Sequence, residues 1–152
     1  ALWQGLGLSG AAKHLDADYL RGHRLMPGVR RFLERMRVAR IPVACISNDV
    51  IEWSRILRKT HGLEDLVFHW TISGEAGARK PDAAIFRRFA DATGPKYGQC
   101  LFVDDNAYNL DAAQDLGFRT MLFVGGQSGL ASASHPVASR FEDVEARILA
   151  RG

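Results

Sequence analysis

The chain has 152 residues, of which 47% are apolar and 24% are charged, and its 20 Lys and Arg residues against 17 Asp and Glu give a net charge of +3. This composition excludes collagen-like, disordered and disulfide-scaffold proteins, and it is typical of a single soluble domain with a sizeable core. No apolar run in the sequence approaches the roughly 18 residues of a membrane-spanning helix, and the first residues lack a signal-peptide pattern. Cys45 and Cys100 lie in short apolar runs, so we expect buried, reduced thiols and a cytoplasmic protein.

Arginines are dense between residues 21 and 40, which raises the question of a nucleic-acid partner. Within the helix predicted over 28–39, apolar residues recur from Val29 to Met36 with helical spacing, which places the arginines on the solvent face. No cluster of base-stacking aromatic residues and no nucleic-acid motif accompanies them. The sequence therefore predicts no nucleic-acid partner, and the positive charge favours attraction of an anionic substrate.

Short β-rich runs alternate with helical patterns along the chain. The predicted strands cover residues 42–46, 66–72, 100–103 and 120–124. The predicted helices cover residues 28–39, 50–60, 82–93, 107–116 and 137–150. Strands separated by helices of this length predict an α/β fold, with a doubly wound parallel sheet covered on both faces. Residues 1–26 have a helical pattern that ends in a connector, and residues 125–136 predict a flexible surface loop.

Polar residues stand where the predicted strands end. Ser47 and Asn48 follow the first strand, Asp104 and Asp105 follow the third, and Lys80 lies between them at the start of a helix. Because ligands of an open α/β sheet bind just beyond the carboxyl ends of its strands, we expect these side chains on one rim. The set suits a phosphate group, with Mg²⁺ on the carboxylates and the serine, asparagine and lysine on the phosphate oxygens.

Each of these features also has a purely structural interpretation. A Ser-Asn pair after a strand is a common helix cap, and Lys80 stands at an ordinary helix entrance. Asp104 and Asp105 are harder to explain in this way, because adjacent carboxylates at a strand end repel each other and a cation usually relieves the repulsion. The three features together, in this order, favour phosphate chemistry.

The order of these motifs carries a resemblance to a known family. Three segments resemble motifs II, III and IV of the haloacid dehalogenase (HAD) superfamily, namely residues 46–49, 77–86 and 101–117. Their sequences are most similar to those of its subfamily I phosphatases. The resemblance covers about residues 25–124. It implies a HAD-like Rossmannoid core over residues 26–152, preceded by the C-terminal remnant of a helical cap over residues 1–25.

The resemblance also implies roles for the rim residues. Ser47 and Asn48 would bind the transferring phosphoryl group, and Lys80 would neutralise the nucleophile and the phosphate. Asp105 would be the Mg²⁺ ligand with Asp104 beside it as an accessory carboxylate, so that Lys80 and Asp104 take catalytic roles. Many relatives carry a further acid four residues after the metal-binding Asp, where this chain has Asn109, so the ligand set depends more on the Asp pair. A receiver domain uses similar residues, but there the acidic pair precedes the lysine.

The family has an Asp-x-Asp motif directly after an apolar strand, and this sequence has no apolar run that is followed by such a motif. Its first Asp is the nucleophile, and its second is the general acid and base. The one Asp-x-Asp sequence, Asp16-Ala17-Asp18, lies in a pattern that fits the last helix of a cap better than a degenerate nucleophile. In the family fold the missing strand lies mid-sheet, and its absence would leave backbone groups unpaired in the core. We therefore expect a second polypeptide, a second copy of the chain or its Gly-rich start to fill the gap.

The sequence thus predicts a Mg²⁺-dependent hydrolase, with the 152 residues forming the C-terminal part without the nucleophile. The favoured activity is a phosphatase that acts on a small phosphorylated metabolite through an aspartyl phosphate. A non-catalytic module that binds a phosphorylated ligand or a protein is the alternative suggested by the missing nucleophile. A 2-haloacid dehalogenase is the third possibility, and the Asp pair argues against it because dehalogenation needs no metal.

Overall fold

The computed structural model describes residues 12–125 and 134–150, with side chains described from residue 16 onward. The described helices are α1 (Ala12–Gly22), α2 (Val29–Val38), α3 (Ile51–Thr60), α4 (Ser73–Ala76), α5 (Ala83–Thr93), α6 (Ala107–Asp115) and α7 (Phe141–Leu149), with a 3₁₀ turn over Tyr97–Gln99. The described strands are β1 (Ala44–Ser47), β2 (His69–Ile72), β3 (Leu101–Asp104), β4 (Arg119–Phe123) and β5 (Val137–Ala138). All of the strand pairs are parallel, so the predicted α/β class is confirmed.

Each predicted strand has an observed counterpart, but the prediction for the C-terminal helix is wrong at its start. Val137 and Ala138 form the short strand β5 beside β4, and the helix begins only at Phe141. The backbone N–H of Val124 donates to the carbonyl of Ala138, so this pairing extends the sheet. Two residues are too few to give the alternating pattern by which a strand is recognised in a sequence.

Alternate residues of β3 divide the core between the two faces of the sheet. Phe102 packs with buried residues of α5 and α6, including Phe86 and Leu110, and partly buried Ile46 of β1 joins the same cluster. On the opposite face, Leu101 and Val103 of β3 pack against a second cluster that includes residues of β4, β5, α2 and α7. This period of two is that of a strand buried on both sides, and the predicted coverage of both faces is confirmed.

The strands form two separate ladders, with β1 and β2 in one and β3, β4 and β5 in the other. Among the described residues, β1 pairs with β2 alone and β3 pairs with β4 alone. The strand predicted to lie between them therefore has no counterpart in the described part of the chain, and what fills the gap stays a prediction. Residues 1–11 of the predicted cap remnant and residues 126–133 of the predicted loop lie outside the described residues, and the boundary at residue 25 is likewise untested.

Cys45 and Cys100 are free thiols, as predicted, but both are half-buried rather than buried. Burial is the main cause that raises the pKa of Cys45, to about 11, and it also raises the pKa of Cys100. Both thiols are therefore protonated at neutral pH and are poor nucleophiles. Within the described residues, none of the helices has the length and apolar character needed to cross a membrane.

Helix α2 has the amphipathic pattern that the sequence predicts. Leu33 and Met36 are buried, and the arginines of the helix face solvent. Arg35 reaches across to α7, where its Nε donates to Oε1 of Glu145 at 2.6 Å. The Glu145 side chain is 11% exposed and the Arg35 side chain is 53% exposed, so this ion pair fixes α7 against α2 at the edge of the core.

Replacing Arg35 with Met is expected to lower the free energy of unfolding by about 1–2 kcal/mol, because it leaves the nearly buried carboxylate of Glu145 without its partner. Urea unfolding of the two proteins measures the difference. Arg37→Met removes an exposed charge from the same turn and serves as the control, with an expected change within about 0.5 kcal/mol. Equal losses in both variants would show that the pair contributes nothing to stability.

The first turn of α7 makes part of its stability dependent on pH. Backbone N–H groups of Ser139 and Arg140 donate to the Asp143 carboxylate at 3.0 Å, and these bonds lower its pKa from the usual 3.8. A depressed pKa contributes stability that is complete above the unfolded-state value and is lost as the pH falls through the folded-state value. The stability advantage of the native protein over Asp143→Asn should therefore be constant above about pH 5 and shrink below about pH 4.

Urea unfolding between pH 3 and pH 7 tests this expectation. Glu142→Gln removes a carboxylate from the same helical turn and is the matched control. A difference between the native protein and Asp143→Asn that does not change with pH would contradict the assignment.

Candidate functional site

The structure brings Lys80 and Asp104 together at the carboxyl ends of the strands. The Lys80 ammonium donates to Oδ2 of Asp104 at 2.6 Å, and the two side chains are 13% and 4% exposed. Asp104 is the last residue of β3, whereas Lys80 lies in the loop before α5. A residue fixed at the end of a strand thus pairs with a lysine that lies outside the hydrogen-bonded strands. The pair forms the centre of the predicted rim.

Asn48 connects the end of β1 to the same lysine, because both polar atoms of its side chain bond to the Lys80 backbone. Its Nδ2 donates to the Lys80 carbonyl at 2.9 Å, and its Oδ1 accepts from the Lys80 N–H at 2.7 Å. Ser47, the last residue of β1, stands next to this link and is half-buried. The predicted phosphate contacts of Ser47 and Asn48 stay predictions, while the structure gives the Asn48 side chain a further partner.

The carboxylate of Asp104 has three donors. The backbone N–H of Asn106 and Nδ2 of Asn109 donate to Oδ1 at 2.9 and 3.0 Å, and Lys80 donates to Oδ2. These donors hold both carboxylate oxygens in place. The contact between Asn109 and Asp104 was not predicted from the sequence. Asn109 lies in the first turn of α6, where side chains face back toward the preceding strand end, and this position was the available signal.

Asp105 lies beside this network and is exposed, so its carboxylate is open to a ligand. Within the described residues there is no group of three or more His, Cys, Asp or Glu side chains that could hold a metal. Mg²⁺ is usually bound through one or two carboxylates and otherwise keeps water and substrate phosphate oxygens. The Asp104-Asp105 pair therefore fits Mg²⁺ in its donor type and number.

The loop after β1 is supported by residues that the sequence analysis did not single out. The N–H of Asp49 donates to Oγ of Ser73 at 3.0 Å, and the Gly74 N–H donates to the Asp49 carbonyl at 3.1 Å. A Cβ on Gly74 would lie 3.0 Å from that carbonyl oxygen, so only glycine fits there without a shift. Burial is the main cause that raises the pKa of the half-buried Asp49 carboxyl. A polar side chain and a glycine directly after β2 were the available signal.

A cavity of about 200 Å³ lies beside Ser47. Cys45, Asp49 and Trp70 are among its lining residues, and the guanidinium of Arg58 lies 5.3 Å from the centre of the Trp70 ring. The cavity is thus partly aromatic and carries charges of both signs. Its lining extends from Ser47 at the end of β1 to residues of α3.

Helix α1 packs on α3 near this cavity. The rings of Tyr19 and Trp53 lie 4.3 Å apart, and Nε1 of Trp53 donates to Asp16 at 3.0 Å. Asp16 and Asp18 are therefore helical residues, as predicted, and Asp16 contacts Trp53 of α3. The assignment of α1 to a cap stays a prediction.

Comparison with known sequences finds a matching family profile and phosphatase relatives. A family profile for haloacid dehalogenase-like hydrolases matches residues 1–117. Enolase-phosphatase E1 of Sorangium cellulosum is 32% identical over 135 residues, which cover 85% of this chain and 56% of the relative. Glyceraldehyde 3-phosphate phosphatase of Pyrococcus abyssi is 31% identical over 107 residues, which cover 68% of this chain and 44% of the relative. The chain spans about half the length of these curated relatives.

Comparison with solved structures shows the same fold. A HAD phosphatase from Thermococcus onnurineus superposes with a TM-score of 0.80 and 18% identity, covering 97% of this chain and 68% of that chain. The L-2-haloacid dehalogenase RSc1362 gives a TM-score of 0.72 and 21% identity, covering 82% of this chain and 56% of that chain. At these identities the likeness establishes the architecture, and the fold is common to phosphatases and dehalogenases.

Proposed function

The chain belongs to the haloacid dehalogenase-like hydrolases, and on that basis we propose that it forms part of a Mg²⁺-dependent phosphatase acting on a small phosphorylated metabolite. The observation that carries the proposal is the Lys80-Asp104 ion pair, which is nearly buried at a rim that Ser47 and Asp105 share. The named phosphatase relatives support the reaction class. A lysine held in this way is a preorganised positive charge, which is what phosphoryl transfer requires.

Lys80 and Ser47 bind the phosphate in this proposal. A lysine ammonium has three N–H donors, and one of them donates to Asp104. The other two can serve the phosphoryl oxygens and the attacking carboxylate, whose negative charges would otherwise repel each other. The Ser47 hydroxyl supplies a further donor from the end of β1, and the half-buried surroundings strengthen each of these contacts.

The reaction also needs an aspartate from a segment outside the described residues. Its carboxylate oxygen attacks phosphorus, the bond from phosphorus to the ester oxygen breaks, and the departing oxygen receives a proton from the second Asp of the motif. Water then attacks the aspartyl phosphate and releases inorganic phosphate and the free carboxylate. Asp105, with Asp104, would hold Mg²⁺, which neutralises phosphate charge when bound.

The gap between the two ladders gives this segment a place in the fold. A strand there would pair with the open sides of β1 and β3 and would deliver its own carboxyl end to the same rim. A second polypeptide could supply both this strand and the aspartate. Residues 1–11 contain no Asp, and a second copy of the chain has its Asp-x-Asp sequence in α1, so either of these would fill the gap without the nucleophile. Native and denaturing mass spectrometry on one purified preparation distinguishes a second polypeptide from a homo-oligomer or a single chain.

Hydrolysis of p-nitrophenyl phosphate, with Mg²⁺ and with EDTA, tests the proposed activity. The sample is the intact protein, by which we mean this chain together with the segment that carries the Asp-x-Asp motif. We expect phosphate release that requires the metal. Metal-independent release of halide from a 2-haloacid, without phosphatase activity, would replace the proposal with a dehalogenase. Binding of a phosphorylated ligand without turnover, although the Asp-x-Asp segment is present, would indicate a non-catalytic module.

A further inference from the structure

Lys80 is held separately at its backbone and at its ammonium group. We propose that Asn48 and Asn109 are positioning residues for Lys80: Asn48 fixes its peptide, and Asn109 fixes the Asp104 carboxylate to which its ammonium points. The catalytic meaning of this proposal rests on the proposed phosphatase function. The geometric claim, that these two amides direct Lys80, stands on the contacts themselves.

Asn48 holds the backbone of Lys80 through both ends of one amide. The distances of 2.9 and 2.7 Å describe a donor and an acceptor that pair with the carbonyl and the N–H of the same residue. Asn48 belongs to the end of β1 and is exposed, so core packing does not force this contact. An Asp at this position could accept from the Lys80 N–H but could not donate to the carbonyl. The link therefore requires an amide, which explains an asparagine here independently of phosphate binding.

Asn109 acts on the other end of the lysine. It is buried, and its Nδ2 lies 3.0 Å from Oδ1 of Asp104, while Oδ2 of the same carboxylate accepts from Lys80. A carboxylate in place of this amide would put two negative charges about 3 Å apart and would protonate one of them or require a cation. A neutral donor instead fixes the orientation of the Asp104 carboxylate plane without adding a second negative charge. Asn109 thus determines the direction from which Asp104 attracts the ammonium.

The contacts made through Asn48 and Asn109 restrict a side chain that would otherwise be free to move. Lysine has a flexible four-carbon stem and a compact charge with no directional fork, and Lys80 lies in a loop outside the sheet ladders. Two fixed ends leave the stem few rotamers, and the cost of ordering it is then met during folding and not in each catalytic cycle. Because Asn48 follows β1 and Asn109 lies in α6 after β3, the lysine also joins the two ladders.

Ammonium-detected ¹⁵N NMR of the intact protein tests the proposal without relying on activity. The chain has four lysines, Lys13, Lys59, Lys80 and Lys96, so the Lys80 signal is assigned by its loss in Lys80→Arg. We expect its ammonium protons to exchange with water about tenfold faster in Asn48→Asp and in Asn109→Ala, because each loses a bond of the charged network. Asn109→Ser keeps a hydroxyl donor at this position and should retain part of the protection.

Asn106→Ala is the matched control for both variants. It removes the side chain that caps α6 but keeps the backbone N–H that donates to Asp104, so a general weakening of the loop appears there as well. Unchanged exchange of the Lys80 ammonium in Asn48→Asp and Asn109→Ala, with native amide spectra, would overturn the proposal, as would equal acceleration in Asn106→Ala. If the intact protein shows no phosphatase activity, the proposed function fails while these spectra still decide whether the two amides direct Lys80.

Discussion

Replacing Lys80 with Met is expected to lower kcat/KM for phosphate ester hydrolysis by the intact protein by roughly 10³-fold and the free energy of unfolding by about 3 kcal/mol. The first effect follows because the proposed phosphate site would lose its positive charge. The second follows because the Asp104 side chain, which is 4% exposed, would lose its cationic partner while it stays buried. Steady-state kinetics and urea unfolding of the same preparations measure both effects.

The double variant Lys80→Met/Asp104→Asn separates the two consequences. The amide introduced at position 104 would be neutral and could still accept from Asn106 and Asn109, so most of the lost stability should return while the activity stays as low as in Lys80→Met. If the single variant is as stable as the native protein, the Lys80-Asp104 pair makes no net contribution to folding. If the double variant recovers activity, Lys80 has no role in phosphate binding and the proposed function loses its central residue.

The positions of the rim residues could be predicted because strand ends are visible in the sequence. The apolar runs before Ser47 and after Cys100 mark two strands, and the polar residues that follow them lie at the carboxyl edge of parallel strands. Hydrophobic periodicity is local, so it is sufficient to identify which side chains reach the edge. It also gave the buried stripe of α2, which includes Leu33 and Met36.

The partners of those residues could not be predicted in the same way. Asn48 binds Lys80, 32 residues away, and the direction of an amide side chain depends on tertiary placement, which local periodicity does not contain. The contact between Asn109 and Asp104 is nearer in sequence, but the family resemblance implies an acid at this position in many members, and that pattern does not predict a neutral donor to Asp104. Strand β5 was missed because its pairing with β4, and not its own two residues, makes it a strand.

Asp104 and Asp105 are adjacent in the sequence but have different surroundings, and this difference predicts different mutational effects. Asp104 is bound by three donors inside the protein, whereas Asp105 is exposed. Asp105→Asn should therefore change the free energy of unfolding by no more than about 0.5 kcal/mol. It should nevertheless weaken the apparent affinity for Mg²⁺ at least about 10- to 100-fold, since even the loss of a group behind a metal ligand has an effect of that size. Hydrolysis by the variant should then require correspondingly more metal or be lost.

Titration of the activity with Mg²⁺, together with calorimetric binding of Mg²⁺, checks this expectation in the intact protein. Asp115→Asn, which removes another exposed carboxylate at the end of α6, is the matched control and should leave the metal dependence unchanged. Metal-dependent hydrolysis that survives unaltered in Asp105→Asn would show that Asp105 is not the metal ligand. In that case Asp104 would be the carboxylate of the pair that holds the metal, and a change in the Lys80 ammonium signal on addition of Mg²⁺ would report it, because Lys80 donates to the same carboxylate.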